Sequence, residues 1–153
     1  MKFYMNDKTG LILSEPKYDI EEQSFFFDPS LESDFTLMLG CSYLGLNIFL
    51  KSRMLVSFSG YCPKHLWHEE ILQPPQRVVS GMVVIECNDT LISGAGIYLF
   101  EQTNLFYDKN SNWCCVKALN NIQADVNIEF APNCVISLSG GNFVALWFKL
   151  IYA

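Results

Sequence analysis

Both histidines of the chain fall in one nonapeptide, CPKHLWHEE (62–70), with one of the six cysteines and two of the sixteen acidic residues. Cys62, His65 and Glu69 stand at i, i+3 and i+7. These residue types can hold zinc while a fourth position stays open for a substrate or water. Pro63 suits a first helical position and Pro74-Pro75 would end the element, so a short helix is expected over 63–72. On that helix the ligand-type residues lie away from Trp67 and Ile71, which would face the rest of the protein. The spacing matches neither H-E-x-x-H nor H-x-x-E-H, and no second ligand cluster exists elsewhere. The stretch therefore reads as a solvated face or a partner contact, with neither metal nor cofactor expected.

Other catalytic constellations are missing as well. There is no G-x-S-x-G elbow, no P-loop and no dinucleotide fingerprint, since Gly94-Ala95-Gly96 leads into a strand pattern. Cys114 or Cys115 pairs with a histidine only on paper, and a strand cysteine is most often a small core hydrophobe. Glu21-Glu22 and Glu69-Glu70 read as solvated charge and not as acid/base dyads. No enzyme is expected.

The elements that must carry these residues repeat with a period of two. In ADVNIEF (124–130), Asp125, Asn127 and Glu129 alternate with Val126, Ile128 and Phe130, and MLVSFS (54–59) sets Met54, Val56 and Phe58 against serines. CVISLSGGNFVALWFKLIY (134–152) reads as a hairpin about Gly140-Gly141, and its second arm is apolar on both faces, as a covered central strand requires. Further strands are expected at 2–5, 11–14, 35–39, 46–50, 77–87, 96–102 and 112–119, separated by the turns NDKTG, CNDT, SGAG, DKNSN and APN. About ten short strands without long crossovers make an all-β fold, an antiparallel sandwich or partly open barrel with one or two short helices.

The 153 residues suit a single domain, 1–153, that buries roughly 70% of its unfolded surface. Half are hydrophobic, 14% are aromatic and 17% are charged, so a full core is expected. The opening MKFYMNDKTG has no apolar core of a signal peptide, and no stretch is long and apolar enough to span a bilayer, so a cytoplasmic protein without a membrane partner is expected. The six cysteines are scattered through apolar segments with no C-x-x-C and read as free, buried thiols. A net charge of −6 argues against direct nucleic-acid binding.

That charge is concentrated. EPKYDIEEQSFFFDPSLESD (15–34) carries Glu15, Asp19, Glu21, Glu22, Asp28, Glu32 and Asp34 against Lys17 alone, and the remaining residues balance. Tyr18, Phe25, Phe26 and Phe27 are embedded in the run. Charge for capture and aromatics for anchoring are the ingredients of a protein-binding surface, expected here at Tyr18, Asp19, Glu21, Glu22, Phe25, Phe26, Phe27, Asp28, Glu32 and Asp34. The competing reading is a solvated loop whose phenylalanines tuck into the edge of the sandwich.

A small, acidic, β-rich chain with many aromatics, unpaired cysteines and no catalytic motif resembles the immunity proteins of bacterial polymorphic toxin systems, including contact-dependent growth inhibition. The resemblance is one of overall character across the chain and assigns no individual residue. It implies a non-enzymatic inhibitor that binds one cognate toxin domain, often a nuclease, and blocks its active site. A basic, RNA- or DNA-cleaving toxin would account for the acid gathered at 15–34. The alternative is a lipocalin-like barrel in which Trp113, Trp147 and the phenylalanines line a cavity for a small apolar ligand.

Overall fold

The computed structural model describes residues 1–6, 12–118 and 122–153. Along the chain run β1 (Lys2–Asn6), β2 (Glu15–Asp19), β3 (Ser24–Asp28), β4 (Phe35–Cys41), β5 (Leu44–Phe49), β6 (Met54–Tyr61), β7 (His68–Glu69) and β8 (Val79–Ser80). They continue as β9 (Met82–Glu86), β10 (Ala95–Tyr98), β11 (Asn104–Tyr107), β12 (Trp113–Lys117), β13 (Val126–Ala131), β14 (Cys134–Ser139) and β15 (Asn142–Lys149). The all-β expectation holds. Among the described residues the strands are more numerous and shorter than expected, and the one helical element is a three-residue 3-10 turn at Lys64–Leu66.

The strands form two sheets, one of them curled into a half-barrel. The first has the order β1-β9-β6-β5-β4-β10, with the β2–β3 hairpin joined through β6. β6 divides its free side between two neighbours: its first residue, Met54, opposes Val84 of β9, while Gly60 and Tyr61 at its end oppose Phe25 and Ser24 of β3. The second sheet has the order β7-β11-β12-β15-β14-β13-β8. The core lies between them, where Phe58 meets Phe148 at 4.6 Å and Phe25 meets Phe148 at 5.1 Å between ring centroids.

Most of the expected alternation is realised. Ile128 and Phe130 are buried on β13, and Gly140 and Gly141 take φ of 56° and 80° in the β14–β15 turn, the left-handed conformation that glycine adopts without strain. In β6 the alternation slips. A bulge between the pairs Asn47↔Ser57 and Ile48↔Leu55 turns Leu55 into the core, where Phe58 also lies, and leaves Met54 only half-buried. The 77–87 run is two strands, β8 in one sheet and β9 in the other, broken at Gly81. The strand expected at 11–14 is absent over 12–14, where the Ser14 hydroxyl instead donates to the Pro29 carbonyl. Leu11, Leu119 and the NDKTG turn beyond Asn6 lie outside the described residues.

Residues 70–78 connect β7 and β8, the two opposite edges of the second sheet. Crossing seven strands at about 4.8 Å spacing requires roughly 29 Å. The ten steps from Glu69 to Val79 supply about 31 Å in the polyproline conformation but only about 15 Å as a helix. An extended strap is what reaches. It lies on the outer face of the sheet, where Leu72 packs on Cys115 and Ala145 beside Trp113 and Trp147. The Leu72 amide donates to the Asp108 carboxylate at 3.1 Å, and Asn127 donates to the Arg77 carbonyl at 3.3 Å. This demand for reach overrides the helix expected at 63–72.

Candidate protein-binding surface

The acidic run is a hairpin and its surroundings, not an irregular loop. Pro16 and Tyr18 on β2, and Phe25 and Phe27 on β3, point into the core, while the residues between them face outward. Tyr18 is 1% exposed, its ring lies 4.7 Å from Phe25 and 4.9 Å from Trp67, and its hydroxyl donates to the Cys62 carbonyl at 3.0 Å. Phe27 stands edge-on to Phe58 at 5.0 Å. Tyr18, Phe25 and Phe27 are therefore core residues and do not reach a partner at this surface. Burying three large apolar rings outweighs presenting them to solvent, since each is worth about 1.5–3 kcal/mol. Phe26 alone of the triplet is half-buried on the outer face.

The carboxylates divide by partner. Asp19 accepts the Glu21 and Glu22 amides at 2.9 and 3.1 Å and so shapes the β2–β3 turn. Asp34 accepts the Leu50 amide at 2.8 Å and the Ser93 hydroxyl at 3.1 Å. Asp28 pairs with Lys17 at 3.0 Å on the exposed side of the hairpin. Glu21, Glu22 and Glu32 are exposed. Of these, Glu21 and Glu22 form the hairpin tip, beside Ile20, which is 65% exposed.

The aromatic members of this surface come from segments that the charge pattern does not mark. Gln23 closes the hairpin turn with φ of 51°, and its carbonyl accepts the Cys62 amide at 2.8 Å, which seats the tip against the end of β6. There Tyr61 is 41% and Tyr43 66% exposed, with ring centroids 6.2 Å apart. The Tyr43 amide donates to the Tyr61 carbonyl at 2.9 Å. Gly60 permits this approach: a Cβ built there would sit 2.0 Å from the Tyr43 carbonyl oxygen, and its φ of 132° is itself unfavourable for other residues. Ile20, Glu21, Glu22, Tyr61 and Tyr43 thus lie at the joined ends of three segments. The signal for Tyr43 in the sequence was the C-S-Y-L turn between two apolar strands, which places a tyrosine where it has nothing to pack under.

The nonapeptide 62–70 does not assemble a metal centre. Cys62 is buried with its sulfur toward Cys41, while His65 and Glu69 are exposed. His68 is exposed at the sheet edge, its ring 5.6 Å from Phe106. Among the described residues no group of three His, Cys, Asp or Glu side chains could hold a metal ion. Trp67 is the structural member of the stretch, stacked on Phe25 at 5.6 Å with its indole N–H donating to the Cys62 carbonyl at 3.2 Å. Lys64 donates to the Tyr152 hydroxyl at 2.6 Å and lies over the Tyr152 ring, and that contact raises its already high pKa.

A concavity of about 540 Å³ lies on the outer face of the second sheet, between Gln73 and Pro75 of the strap and Ala118, Gln123 and Trp147. The core between the sheets is built mainly of phenylalanine, leucine and isoleucine side chains. Trp113 and Trp147 belong to the outer face and do not line an interior cavity. Among the described residues no helix is long and apolar enough to cross a membrane. No protein-family model matches the chain, and no curated protein matches it.

Proposed function

We propose that the protein is a non-catalytic binding protein of the cytoplasm that captures a basic protein partner on the surface formed by Ile20, Glu21, Glu22, Tyr43 and Tyr61, as an immunity protein captures its toxin. The observation that carries this reading is the pair of exposed tyrosines held against an acidic hairpin tip. Tyrosine supplies large contact area at low entropic cost and is enriched at hot spots. The two glutamates are exposed, have no paired cation among the described residues, and so remain available to steer a cationic surface.

In this mechanism the carboxylates of Glu21 and Glu22 guide the encounter, and the tyrosines dehydrate against the partner and slow its release. A nuclease whose phosphate-binding groove is covered in this way loses access to its substrate. The test is co-expression with the product of the adjacent gene, followed by growth and pull-down assays. Protection and stoichiometric capture support the reading, whereas a non-toxic, unbound neighbour removes it.

A second reading rests on the 540 Å³ groove, whose Trp147 wall suits a small apolar or planar ligand. Quenching of tryptophan fluorescence by an apolar probe, lost in Trp147→Ala, would favour it.

A further inference from the structure

Cys41 ends β4 and Cys62 follows β6, and their sulfurs stand 3.9 Å apart although the residues are 21 positions apart in sequence. A disulfide needs about 2.0 Å between sulfurs, so the two sulfurs must approach by about 1.9 Å to bond. All six cysteines lie in the described residues and carry free thiols. Cys114 and Cys115 are neighbours on one strand and point to opposite faces, Cys114 into the core and Cys115 under the strap. Cys134 is fully buried, and Cys87 is half-buried with Asp89 beside it.

The pair is reachable. Cys41 and Cys62 line one cleft of about 240 Å³, whose other walls include Ser42, His68, Gln102 and Thr103. A water molecule occupies about 30 Å³ in the liquid, so a small peroxide fits this space. Cys41 is 8% exposed against 1% for Cys62, so it is the more accessible residue of the two. The hydrogen bond from the Cys62 thiol lowers the Cys41 pKa, and the same contact together with burial holds Cys62 protonated. Cys41 is thus the group that ionises first, and the thiolate is the reactive form.

We propose that Cys41 and Cys62 form an oxidisable pair that takes a hydroperoxide as its oxidant and closes to an intramolecular disulfide. The Cys41 thiolate attacks one peroxide oxygen, the O–O bond breaks, and the departing oxygen leaves as water or alcohol after taking a proton, which leaves Cys41 as a sulfenic acid. The Cys62 sulfur then attacks the Cys41 sulfur, the S–O bond breaks, and hydroxide leaves with the Cys62 proton as water. Two thiols are oxidised and one peroxide is reduced, with no further reductant required.

The bond would fix two segments that carry the exposed tyrosines, since Tyr43 follows Cys41 by two residues and Tyr61 precedes Cys62. On the binding reading proposed above, the oxidised form has a pre-set Tyr43–Tyr61 pair and releases its partner several-fold more slowly.

The experiment treats the native protein with hydrogen peroxide, alkylates residual thiols in denaturant and maps the peptides. A Cys41–Cys62 cross-linked peptide, lighter by two hydrogen atoms and restored by dithiothreitol, is expected, with Cys114, Cys115 and Cys134 still alkylated. In Cys62→Ser, dimedone should trap a sulfenic acid at Cys41, and in Cys41→Ser no adduct should form at Cys62. Should either variant misfold, an early dimedone adduct at Cys41 in the wild-type time course reports the same order. Oxidation confined to Cys87, or cross-linking of Cys41 and Cys62 only after denaturation, would overturn the pair. A cross-link that forms but leaves partner release unchanged would overturn its coupling to binding alone, and a failed partner assay would leave the peptide map intact.

Discussion

The Tyr18 hydroxyl donates a 3.0 Å hydrogen bond to the Cys62 carbonyl, which fastens the acidic hairpin to the stretch that holds both histidines. The same carbonyl accepts the Trp67 indole N–H, so it keeps a partner when Tyr18 is altered. Tyr18→Phe should therefore cost about 1 kcal/mol, the net value of one hydrogen bond. Tyr18→Ala should cost about 3–5 kcal/mol, as for other buried aromatics. Urea denaturation of the two variants checks both values.

Alkaline pH tests the same residue independently. Burial, with a smaller contribution from Cys62, pushes the Tyr18 phenol from 10.0 up to about 12. The folded chain then keeps a proton that the unfolded chain has released. The stability from Tyr18 is present in full below pH 10 and declines as pH rises toward about 12, by about 1.4 kcal/mol per pH unit. Burial also pushes Cys115 up to about 12, so the wild type loses stability through that thiol as well. The difference between wild type and Tyr18→Phe isolates the tyrosine: the variant should show the shallower decline in urea stability across this range.

The hairpin also shows what was legible in the sequence. E-P-K-Y-D alternates polar and apolar residues and S-F-F-F-D does so except at Phe26, and the structure buries every second position, with Pro16, Tyr18, Phe25 and Phe27 inward. The density of charge masked a period of two, because charged residues on the outer positions of an edge hairpin look like a loop when only composition is weighed. The β13 alternation and the Gly140-Gly141 turn were readable because each is a local signal. The strap was not. Pro63 and Pro74-Pro75 mark a helix's ends and an extended crossing equally well, and only the position of the sheet edges, a tertiary fact, decides between them. The nearness of Tyr43 to Tyr61 was hidden for a similar reason: it is created by Gly60 and the pairing of distant strands.

Acids of one run should separate cleanly by role. Asp34→Ala removes the acceptor of the Leu50 amide and the Ser93 hydroxyl and should destabilise the fold by about 1–3 kcal/mol. Glu21→Lys with Glu22→Lys should change stability by no more than about 0.5 kcal/mol, since both side chains are exposed. Thermal unfolding of the two variants side by side gives the comparison.

Asp108 controls the strap. The Leu72, Asn110 and Ser111 amides donate to its carboxylate and hold its pKa below the usual carboxylate value. A depressed carboxylate stabilises the fold above its unfolded pKa and loses that contribution as pH falls through its folded value. Acidification should therefore release Leu72 from the outer face and shift tryptophan emission to the red. Asp108→Asn should show the change at neutral pH, together with faster tryptic cleavage after Arg77.

The most direct test of the binding surface is the association and dissociation rates of the adjacent gene's product on wild type, Glu21→Lys/Glu22→Lys and Tyr61→Ala, each at low and physiological salt. Charge reversal should slow association about tenfold at low salt and flatten its salt dependence, while leaving dissociation nearly unchanged. Tyr61→Ala should leave association nearly unchanged and speed dissociation about 30-fold, the kinetic equivalent of about 2 kcal/mol. A complex that forms and dissociates at wild-type rates in all three proteins would contradict the assignment of this surface.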